Sequence, residues 1–357
     1  MGKVLAMQTL TWPAVLSSLL AGEDLSRESA SWAMRQIMSG EASEAQIGAF
    51  MMALRSKGET VPELAGLVDV MLDNAVLLDT GSDAVDIVGT GGDLVGTVNI
   101  SSMASIVAAA AGVPVLKHGS RSASGKTGSS EMLEVLGIRL DLAPAQVADV
   151  FRKVGITFFF APVFHPAMRF VAPVRKQLGV PTTFNFLGPL ANPAQPIATA
   201  LGVANPVIAP KMAQELAARG RAGLVFRSDD GLDELSTTSS STLWVVRSGK
   251  VEEIPFEPQD LGIRRAKIEQ LIGGDAKHNA EIARRLFAGE DFENSEAISD
   301  VVALNAAGGM VAYQIAKGSA EQIPDLFTKA LQSATTAIRS GAAQRKLVEW
   351  SAATQQF

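Results

Sequence analysis

The chain has 357 residues, of which 47% are hydrophobic, enough apolar material for two folded domains or for one large unit with a lobe. Its formal net charge of −6 argues against a general electrostatic attraction to nucleic acid, although a local basic pocket remains compatible with it. The absence of cysteine excludes disulfides and thiolate metal sites, and three histidines are too few for a histidine-rich zinc site.

Residues 12–76 have the pattern of helices alone. Ser43 with Gln46, and Thr60 with Glu63, have the spacing of capping boxes, and each pair precedes apolar residues at helical intervals. We expect these helices to form a small lobe. Because so small a lobe offers few partners for its apolar faces, we expect it to pack against a second copy of the chain.

From residue 84 onward, short β-branched or aromatic runs alternate with helical patterns, as in a parallel sheet covered by helices. The predicted strands are 85–88, 113–116, 157–160, 198–203 and 223–226. A hairpin is predicted over 243–246 and 251–255, and the last hundred residues are predicted to be mainly helical, including 297–316 and 320–353. The predicted fold class is α/β, and ligands of such sheets lie at the carboxyl ends of the strands.

No segment has the pattern of an export signal or a membrane span. The N-terminal stretch contains Gln8, Thr9 and Thr11 and is too polar for a signal peptide. The apolar run 106–116 is too short to cross a bilayer. We therefore expect a soluble, cytoplasmic protein.

Two loops rich in glycine and hydroxyl groups follow the first two predicted strands. The first contains Gly89-Thr-Gly-Gly-Asp93 and Thr97-Val-Asn-Ile-Ser-Ser102, and the second spans Lys117–Glu131. Main-chain N–H groups at strand-to-helix turns bind phosphates. One such loop alone could be an ordinary turn, and Thr97 or Asn99 could be a plain helix cap. The two loops together predict a ligand with phosphate groups at both ends.

Two charged motifs come later in the chain. Asp229-Asp-Gly-Leu-Asp-Glu234 follows the predicted strand 223–226, and adjacent carboxylates suit a Mg²⁺ ion that bridges phosphate oxygens. Acidic turn residues can also be merely solvated turn formers. Arg175 falls on a predicted helix with His165 and Met168, and its guanidinium could pair with a carboxylate or lie exposed without a role.

These motifs, together with HPAMRFVAPVRK at 165–176 and FNFLGPLANPA at 184–194, resemble the anthranilate phosphoribosyltransferase family from about residue 12 to the C-terminus. The resemblance implies Mg²⁺-dependent transfer of the 5-phosphoribosyl group from phosphoribosyl pyrophosphate (PRPP) to the amine of anthranilate, in tryptophan biosynthesis. The products would be N-(5-phosphoribosyl)anthranilate and pyrophosphate. It also implies a homodimer formed through the helical lobe.

The resemblance further specifies the architecture. It implies a small all-helical N-terminal lobe over 1–78, to which about 165–186 return. The rest, 79–164 and 187–357, would be a large α/β domain that binds PRPP, with a central, mostly parallel sheet and a helical C-terminal part. The active site would then lie in the cleft between the lobe and the α/β domain.

The resemblance also assigns roles to individual residues, with no obligatory catalytic residue among them. The residues matching PRPP-binding positions are Gly89, Gly92, Asp93, Thr97, Asn99, Ile100, Ser101, Ser102, Lys117, Ser124, Gly125 and Ser129. Those matching anthranilate-binding positions are Gly89, His118, Ser120, Ala161, Pro162, His165, Met168 and Arg175, with Arg175 meeting the carboxylate. Asp233 and Glu234 would bind Mg²⁺, as two ions, with the Ser101 hydroxyl contributing to one. His118 could instead be structural, and His278 is interpreted as an ordinary surface residue.

Three residues depart from the family pattern. Ser120 stands where the family usually has Asn, which affects acceptor affinity or selectivity because its hydroxyl reaches less far. Leu94 replaces a frequent Gly, which would restrict the mobility of the first loop, and Ser102 replaces a frequent Thr.

Two other functions remain open at this point. A pyrimidine nucleoside phosphorylase has a similar fold and also binds ribose and phosphate, but it lacks the acidic motif, and an assay of thymidine phosphorolysis would distinguish it. A non-catalytic nucleic-acid-binding paralogue would have eroded loops and a basic surface, and the sequence has neither feature.

Overall fold

The computed structural model describes residues 10–81, 83–121 and 128–357. These residues form fifteen α-helices and seven strands. The helices are α1 (Trp12–Leu20), α2 (Arg27–Met38), α3 (Glu44–Lys57), α4 (Val61–Asp73), α5 (Ile100–Ala110), α6 (Ser129–Val135), α7 (Pro144–Val154), α8 (Ala161–Phe164), α9 (Ala172–Leu178), α10 (Phe184–Leu190), α11 (Ala209–Ala218), α12 (Ala276–Phe287), α13 (Ser295–Ala316), α14 (Ile323–Arg339) and α15 (Ala342–Thr354). The strands are β1 (Val85–Gly89), β2 (Val115–Gly119), β3 (Ile156–Phe160), β4 (Ala198–Gly202), β5 (Ala222–Ser228), β6 (Ser241–Arg247) and β7 (Lys250–Phe256).

The seven strands form one sheet in the order β3-β2-β1-β4-β5-β6-β7. The first five strands are parallel to their neighbours, whereas β5, β6 and β7 pair antiparallel. Every predicted strand is present within three residues of its predicted bounds, and the predicted hairpin is β6–β7. The predicted fold class, an N-terminal helical region with a mostly parallel sheet and a helical C-terminal part, is confirmed.

The chain divides into two compact units. The α/β unit consists of residues 76–164 and 188–357. Its centre is α13, a 22-residue helix that packs against β1, β4 and β5 and is buried along most of its length. The burial explains why α13 is apolar on nearly all sides. No helix in the described part of the chain is long and apolar enough to cross a membrane.

The helical unit consists of residues 1–75 and 165–187. Both predicted capping boxes are present: the Ser43 N–H donates to Gln46 Oε1 at 2.9 Å, and the Thr60 N–H donates to Glu63 Oε2 at 2.7 Å. The Glu63 carboxylate is fully buried and also accepts from Lys57 Nζ at 3.0 Å. The second cap is therefore part of a buried ion pair.

Two predicted helices are interrupted in the structure. The prediction over 320–353 is wrong at Gly341, which has φ +70°, so that α14 ends and α15 begins there. The segment predicted as one helix over His165, Met168 and Arg175 is a 3₁₀ helix, Pro166–Phe170, followed by α9. Both pieces have a proline in the first turn, where its missing N–H costs nothing, and a proline inside one continuous helix would break it.

Candidate active site

The first glycine-rich loop leaves the carboxyl end of β1 and runs to the start of α5. Gly91, Gly92 and Leu94 have φ values of 68°, 88° and 59°. Glycine adopts this left-handed region freely, whereas a residue with a Cβ is strained there by about 1 to 2 kcal/mol. Leu94, whose side chain is 78% exposed, therefore occupies a backbone position that favours glycine. The Gly91 N–H donates to Asp233 Oδ2 at 2.7 Å, which links the loop to the acidic motif.

The strands β1 and β4 end side by side in two glycines that pair in register, Gly89 and Gly202. An added Cβ on Gly89 would collide with the Asp233 carboxylate, and one on Gly202 would collide with the Asp233 main-chain oxygen. The acidic segment therefore lies directly against the strand ends. Sequence reasoning missed Gly202, although a glycine inside a predicted strand, here 198–203, marks such a close approach.

The acidic pair is buried, which excludes the interpretation that it is a solvated turn former. Asp233 is 8% and Glu234 9% exposed. The carboxyl groups of Asp93 and Asp233 are close enough to share a proton. Burial, and next the charge of Asp93, raises the pKa of Asp233 to about 7. Burial and the charge of Asp233 raise the pKa of Glu234 well above its ordinary value.

This acidic cluster, defined as Asp93, Asp233 and Glu234, has the chemistry of a Mg²⁺ site. In the described part of the chain, no group of three His, Cys, Asp or Glu side chains could hold a metal by itself. Mg²⁺ does not need such a cage, because it keeps waters and uses phosphate oxygens of a substrate. Crowded, desolvated carboxylates whose pKa values are raised gain from a cation in place of protons. The donor set therefore fits Mg²⁺ bound together with a phosphate ligand.

Hydroxyl groups fix the loop that carries the acidic pair. The Asp230 carboxylate accepts hydrogen bonds from Ser228 Oγ at 2.5 Å, from Ser236 Oγ at 2.6 Å and from the Thr238 hydroxyl. Partial burial opposes its ionisation, but these hydrogen bonds outweigh burial and lower the pKa of Asp230. The side chain of Asn305 of α13 holds Leu235, the residue after Glu234: the Leu235 N–H donates to Asn305 Oδ1 at 2.9 Å, and Asn305 Nδ2 donates to the Leu235 carbonyl at 2.8 Å. Sequence reasoning gave neither Asp230 nor Asn305 a role.

The predicted PRPP residues at the start of α5 form its first turn. Ile100 is 1% exposed, and the Ser102 side chain is fully buried, with a hydroxyl that has no partner among the described residues. The Ser101 main-chain N–H acts on the Glu234 carboxylate and opposes the rise of its pKa. The first turn of α5 and the acidic cluster are therefore adjacent. Thr97 forms an isolated bridge with Ile272, which no sequence pattern indicated.

Lys117 lies inside the sheet, on β2. Its side chain is 1% exposed, and its ammonium group donates to the Ile87 carbonyl at 2.6 Å and to the Ser101 hydroxyl at 3.3 Å. Burial lowers the pKa of Lys117, against the attraction of the nearby carboxylates, Asp86 first. The structure therefore brings the Lys117 charge to the first loop and the acidic cluster.

The Asp86 side chain lies between β1 and β2, one residue after the start of β1. The two strands pair in register at Val85 and Val115, and beyond that point the Asp86 carboxylate accepts the His118 N–H at 3.1 Å. Asn192 Nδ2 donates to Asp86 Oδ2 and to the Leu116 carbonyl, both at 2.8 Å. These side chains replace the hydrogen bonds of the strand ladder. Burial raises the pKa of Asp86 to about 6.

Part of the second glycine-rich loop, including the predicted PRPP residues Ser124 and Gly125, lies outside the described residues. Ser129 begins α6, and its hydroxyl lies 3.5 Å from the Ser120 main-chain oxygen, so that these two predicted residues are neighbours. Arg121 is exposed and pairs with both Glu134 carboxylate oxygens, at 3.0 and 2.9 Å. Its charge is therefore neutralised within the protein.

The predicted acceptor residues fall on both units. In the α/β unit, His118 is 3% exposed and its Nδ1 lies 3.0 Å from the Gly188 carbonyl, which makes Nδ1 the protonated nitrogen. His118 pairs in register with Phe159 of β3, and β3 leads directly into α8, which begins with the predicted residues Ala161 and Pro162.

In the helical unit, His165 is 3% exposed and its carbonyl accepts the Met168 N–H at 3.0 Å. Arg175 lies on α9, and burial lowers the pKa of its guanidinium. No carboxylate among the described residues offsets that burial, and no described acceptor hydrogen-bonds the guanidinium. A half-buried guanidinium without a described partner for its charge would gain from binding an anionic ligand.

Comparison with known proteins supports the resemblance found in the motifs. Residues 13–75 match the family model described as "Glycosyl transferase family, helical bundle domain", and residues 81–344 match "Glycosyl transferase family, a/b domain". The anthranilate phosphoribosyltransferase of Leifsonia xyli subsp. xyli is 54% identical over 351 residues, which cover 98% of this chain and 99% of that protein.

Solved structures agree with this result. Anthranilate phosphoribosyltransferase from Thermus thermophilus superposes with a TM-score of 0.86 at 38% identity, covering 96% of this chain and 99% of that one. The Saccharomyces cerevisiae enzyme in complex with PRPP and Mg gives a TM-score of 0.84 at 26% identity, covering 98% and 99%, and it has also been solved with 4-fluoroanthranilate. The chain belongs to the anthranilate phosphoribosyltransferase family of glycosyltransferases.

Proposed function

We propose that the protein transfers the 5-phosphoribosyl group of PRPP to the amine of anthranilate, releasing pyrophosphate and forming N-(5-phosphoribosyl)anthranilate for tryptophan biosynthesis. The observation that carries the proposal is the buried pair Asp233 and Glu234, held against the first glycine-rich loop and the N-terminus of α5. A helix N-terminus attracts anions, but the crowded carboxylates beside it repel them. A phosphate with a bound metal cation, placed between the two, would satisfy both.

PRPP binding is assigned to the two loops and the first turn of α5. The supporting features are main-chain N–H groups at a helix N-terminus, the Lys117 ammonium group directed at that turn, and the Ser102 hydroxyl without a described partner. The residues proposed for this role are Gly89, Gly92, Asp93, Thr97, Asn99, Ile100, Ser101, Ser102, Lys117, Ser124, Gly125 and Ser129.

Mg²⁺ would be held by Asp233, Glu234 and the Ser101 hydroxyl, and two ions are proposed. When bound, Mg²⁺ would neutralise charge on the pyrophosphate leaving group. Displacement at the ribose C1 develops oxocarbenium-like charge, so the protein's own task is to fix the diphosphate and to position the incoming nitrogen. The hydrogen bonds of Asp230 and Asn305 perform the first task by holding the acidic loop in place.

The anthranilate carboxylate is assigned to Arg175, whose guanidinium is half-buried and has no described acceptor. His118, Ser120, Ala161, Pro162, His165, Met168 and Gly89 are proposed to line the acceptor site. An aromatic amine is largely neutral at pH 7, so the reaction needs no obligatory general base, and none is assigned. Ser120 would reach the acceptor less far than the usual Asn.

The homodimer and the cytoplasmic location also remain part of the proposal. Support for a dimer comes from large apolar side chains exposed on α1 and α3 of the helical unit: Leu20 is 80% and Met52 39% exposed. We expect light scattering of the wild type to give twice the mass of one chain, and Leu20→Lys to lower the measured mass. A monomeric wild type would contradict the proposed dimer and leave the proposed reaction untouched.

The deciding experiment follows anthranilate fluorescence with purified protein, PRPP and MgCl₂. We expect turnover that requires all three components, pyrophosphate in equal amount to the anthranilate consumed, and no phosphorolysis of thymidine. Phosphorolysis without anthranilate transfer would support the nucleoside phosphorylase alternative, and binding of nucleic acid without either reaction would support the non-catalytic one.

A further inference from the structure

A strap, residues 271–274, binds the back of the first glycine-rich loop. Its main chain makes two hydrogen bonds to that loop, from the Val98 N–H to the Leu271 carbonyl and from the Gly273 N–H to the Gly96 carbonyl, both at 2.9 Å. The approach is so close that a Cβ on Gly273 would lie 2.9 Å from the Thr97 carbonyl oxygen and the Val98 nitrogen of the loop, and 2.6 Å from Asn279 Oδ1. The strap therefore brings Asn279 of α12 to the loop.

The orientation of the Asn279 carboxamide is fixed by a main-chain donor. The Gly274 N–H can only donate, so the Asn279 atom that faces it at 2.7 Å is Oδ1. Asn279 Nδ2 then donates to Asn99 Oδ1 at 2.8 Å. Because Asn279 is 1% exposed, solvent offers no alternative partner to either atom. The side-chain oxygen of Asn99 is thus held on the side of α12.

Asn99 precedes α5 without capping it. Its side chain accepts no hydrogen bond from the first turn of the helix, and its Nδ2 donates to no described residue. With the oxygen turned to Asn279, the free end of the Asn99 carboxamide carries two N–H donors. Donors at a helix N-terminus suit a phosphate, whereas a carbonyl oxygen in the same place would repel it.

We propose that Asn279 is a positioning residue that locks the Asn99 carboxamide with its donors toward the phosphates of PRPP. The inference rests on the proposed function, in which Asn99 contacts PRPP. Asn279 itself would touch no substrate, because both of its polar atoms are used within the protein.

Asn279→Asp tests the proposal because it keeps the shape of the side chain and replaces the donor Nδ2 by an oxygen that accepts hydrogen bonds. The substituted carboxylate keeps an acceptor for the Gly274 N–H but presents a second acceptor to Asn99, which must rotate and turn its oxygen to the ligand. We expect KM for PRPP to rise about tenfold or more, the range for a lost charge-assisted hydrogen bond. Asn279→Ala should raise KM for PRPP less, because Asn99 then loses its hydrogen-bond partner but is not forced to turn its oxygen to the ligand. In both variants kcat and KM for anthranilate should stay within about twofold.

A double-mutant cycle separates this effect from the added charge. In an Asn99→Ala background, Asn279→Asp should produce no further rise, since its effect acts through Asn99. A persistent rise would overturn the proposal. Titration calorimetry with Mg²⁺–pyrophosphate, which involves no turnover, should give the tightest binding for the wild type, weaker binding for Asn279→Ala and the weakest for Asn279→Asp.

Ala280→Gly is the matched control, because it destabilises α12 at a buried neighbour without altering either hydrogen bond. It should lower the melting temperature and leave KM for PRPP unchanged. If Asn279→Asp behaves like Ala280→Gly, its role is structural and the inference is wrong. If the wild type fails to transfer the phosphoribosyl group at all, the proposed function fails instead.

Discussion

Arg175 is a cation that the protein leaves half-buried and without a described acceptor. Arg175→Ala should weaken anthranilate binding by about 1.5 to 3 kcal/mol, the value of a charge-assisted hydrogen bond. We therefore expect KM for anthranilate to rise at least tenfold while KM for PRPP stays constant, measured by initial rates. Arg175→Lys should recover only part of the loss, because a point charge lacks the bidentate geometry of guanidinium.

Arg169 provides the control for Arg175. It lies in the preceding 3₁₀ helix, is exposed, and stacks on Phe170 with its guanidinium carbon 4.5 Å from the ring centroid. Arg169→Ala removes the same charge from the same unit and should leave KM for anthranilate unchanged. An Arg175→Ala enzyme with the same acceptor KM as Arg169→Ala would contradict the assignment.

If Asp233 and Glu234 hold Mg²⁺ as proposed, replacing them should change the response to the metal. Replacing them with Asn and Gln keeps their size but removes the charges that a divalent cation needs. We expect the double variant to lose the Mg²⁺ dependence of PRPP binding, measured by calorimetry across a MgCl₂ titration. Asp229→Asn, at an exposed position in the same loop, should titrate as the wild type does. A double variant with a normal Mg²⁺ titration would show that the metal is held elsewhere.

At the scale of elements, the ends of β1 and β4 leave no room for side chains. Gly202→Ala places a Cβ against the Asp233 main-chain oxygen, so the Asp233 main chain must shift and with it the carboxylate that accepts the Gly91 N–H. We expect the free energy of unfolding to fall by about 1 to 3 kcal/mol, as for overpacking, and PRPP affinity to fall at least tenfold. Thermal melting and calorimetry would measure the two effects.

Gly48→Ala is the comparison for Gly202→Ala. Gly48 lies within α3, where an added Cβ would meet the Val174 side chain at an ordinary 3.6 Å. This change should preserve or slightly raise stability, because Ala is the better helix former by about 1 kcal/mol. If Gly202→Ala is equally harmless, the close approach of the acidic segment to β4 does not matter for binding.

The elements that the sequence predicted correctly are those with local signals. The strands of the sheet are apolar runs bounded by glycine or proline, and Ser43 with Gln46 lies within one helical turn, so neighbouring residues were sufficient. The break at Gly341 was missed because the apolar pattern continues on both sides of it. The break before α9 was missed because the helical spacing of charged and apolar residues masked two prolines.

The acidic pair Asp233-Glu234 and the two loops could be predicted because each is a contiguous motif. The residues that hold them could not, because their partners are distant in sequence: Asn279 lies 180 residues from Asn99, and Asn305 lies 70 from Leu235. A buried Asn in a helix looks the same in sequence whether it caps, packs or positions a neighbour. The site assignments themselves stay predictions, for which the variants above are the tests.

At the scale of the whole molecule, the acidic cluster makes stability depend on pH. In the unfolded chain, Asp233 and Glu234 take their ordinary pKa values, 3.8 and 4.5, whereas in the folded chain both values are raised. Asp86 acts in the same direction, with a folded pKa of about 6. At these three groups the folded protein therefore holds more protons than the unfolded one between about pH 4 and pH 7. Their contribution to the free energy of unfolding falls as pH rises through that interval.

Asp233→Asn should accordingly stabilise the ligand-free protein while disabling it. An Asn side chain can accept from the Gly91 N–H with its oxygen and donate to Asp93 with its nitrogen, which replaces a shared proton by a permanent hydrogen bond. At pH 8 we expect the free energy of unfolding of the variant to exceed that of the wild type by on the order of 2 kcal/mol. At pH 5 the difference should be much smaller, because the Asp93–Asp233 pair of the wild type is protonated there.

Urea unfolding at the two pH values would measure this difference, with Asp229→Asn as the exposed control. For the wild type, Mg²⁺ with PRPP should restore stability at pH 8, since a ligand that binds the folded state alone stabilises it by mass action. The variant should gain little from the same addition. Equal stability of wild type and Asp233→Asn at pH 8 would mean that the carboxylates do not repel one another, and the case for a cation between them would fail with it.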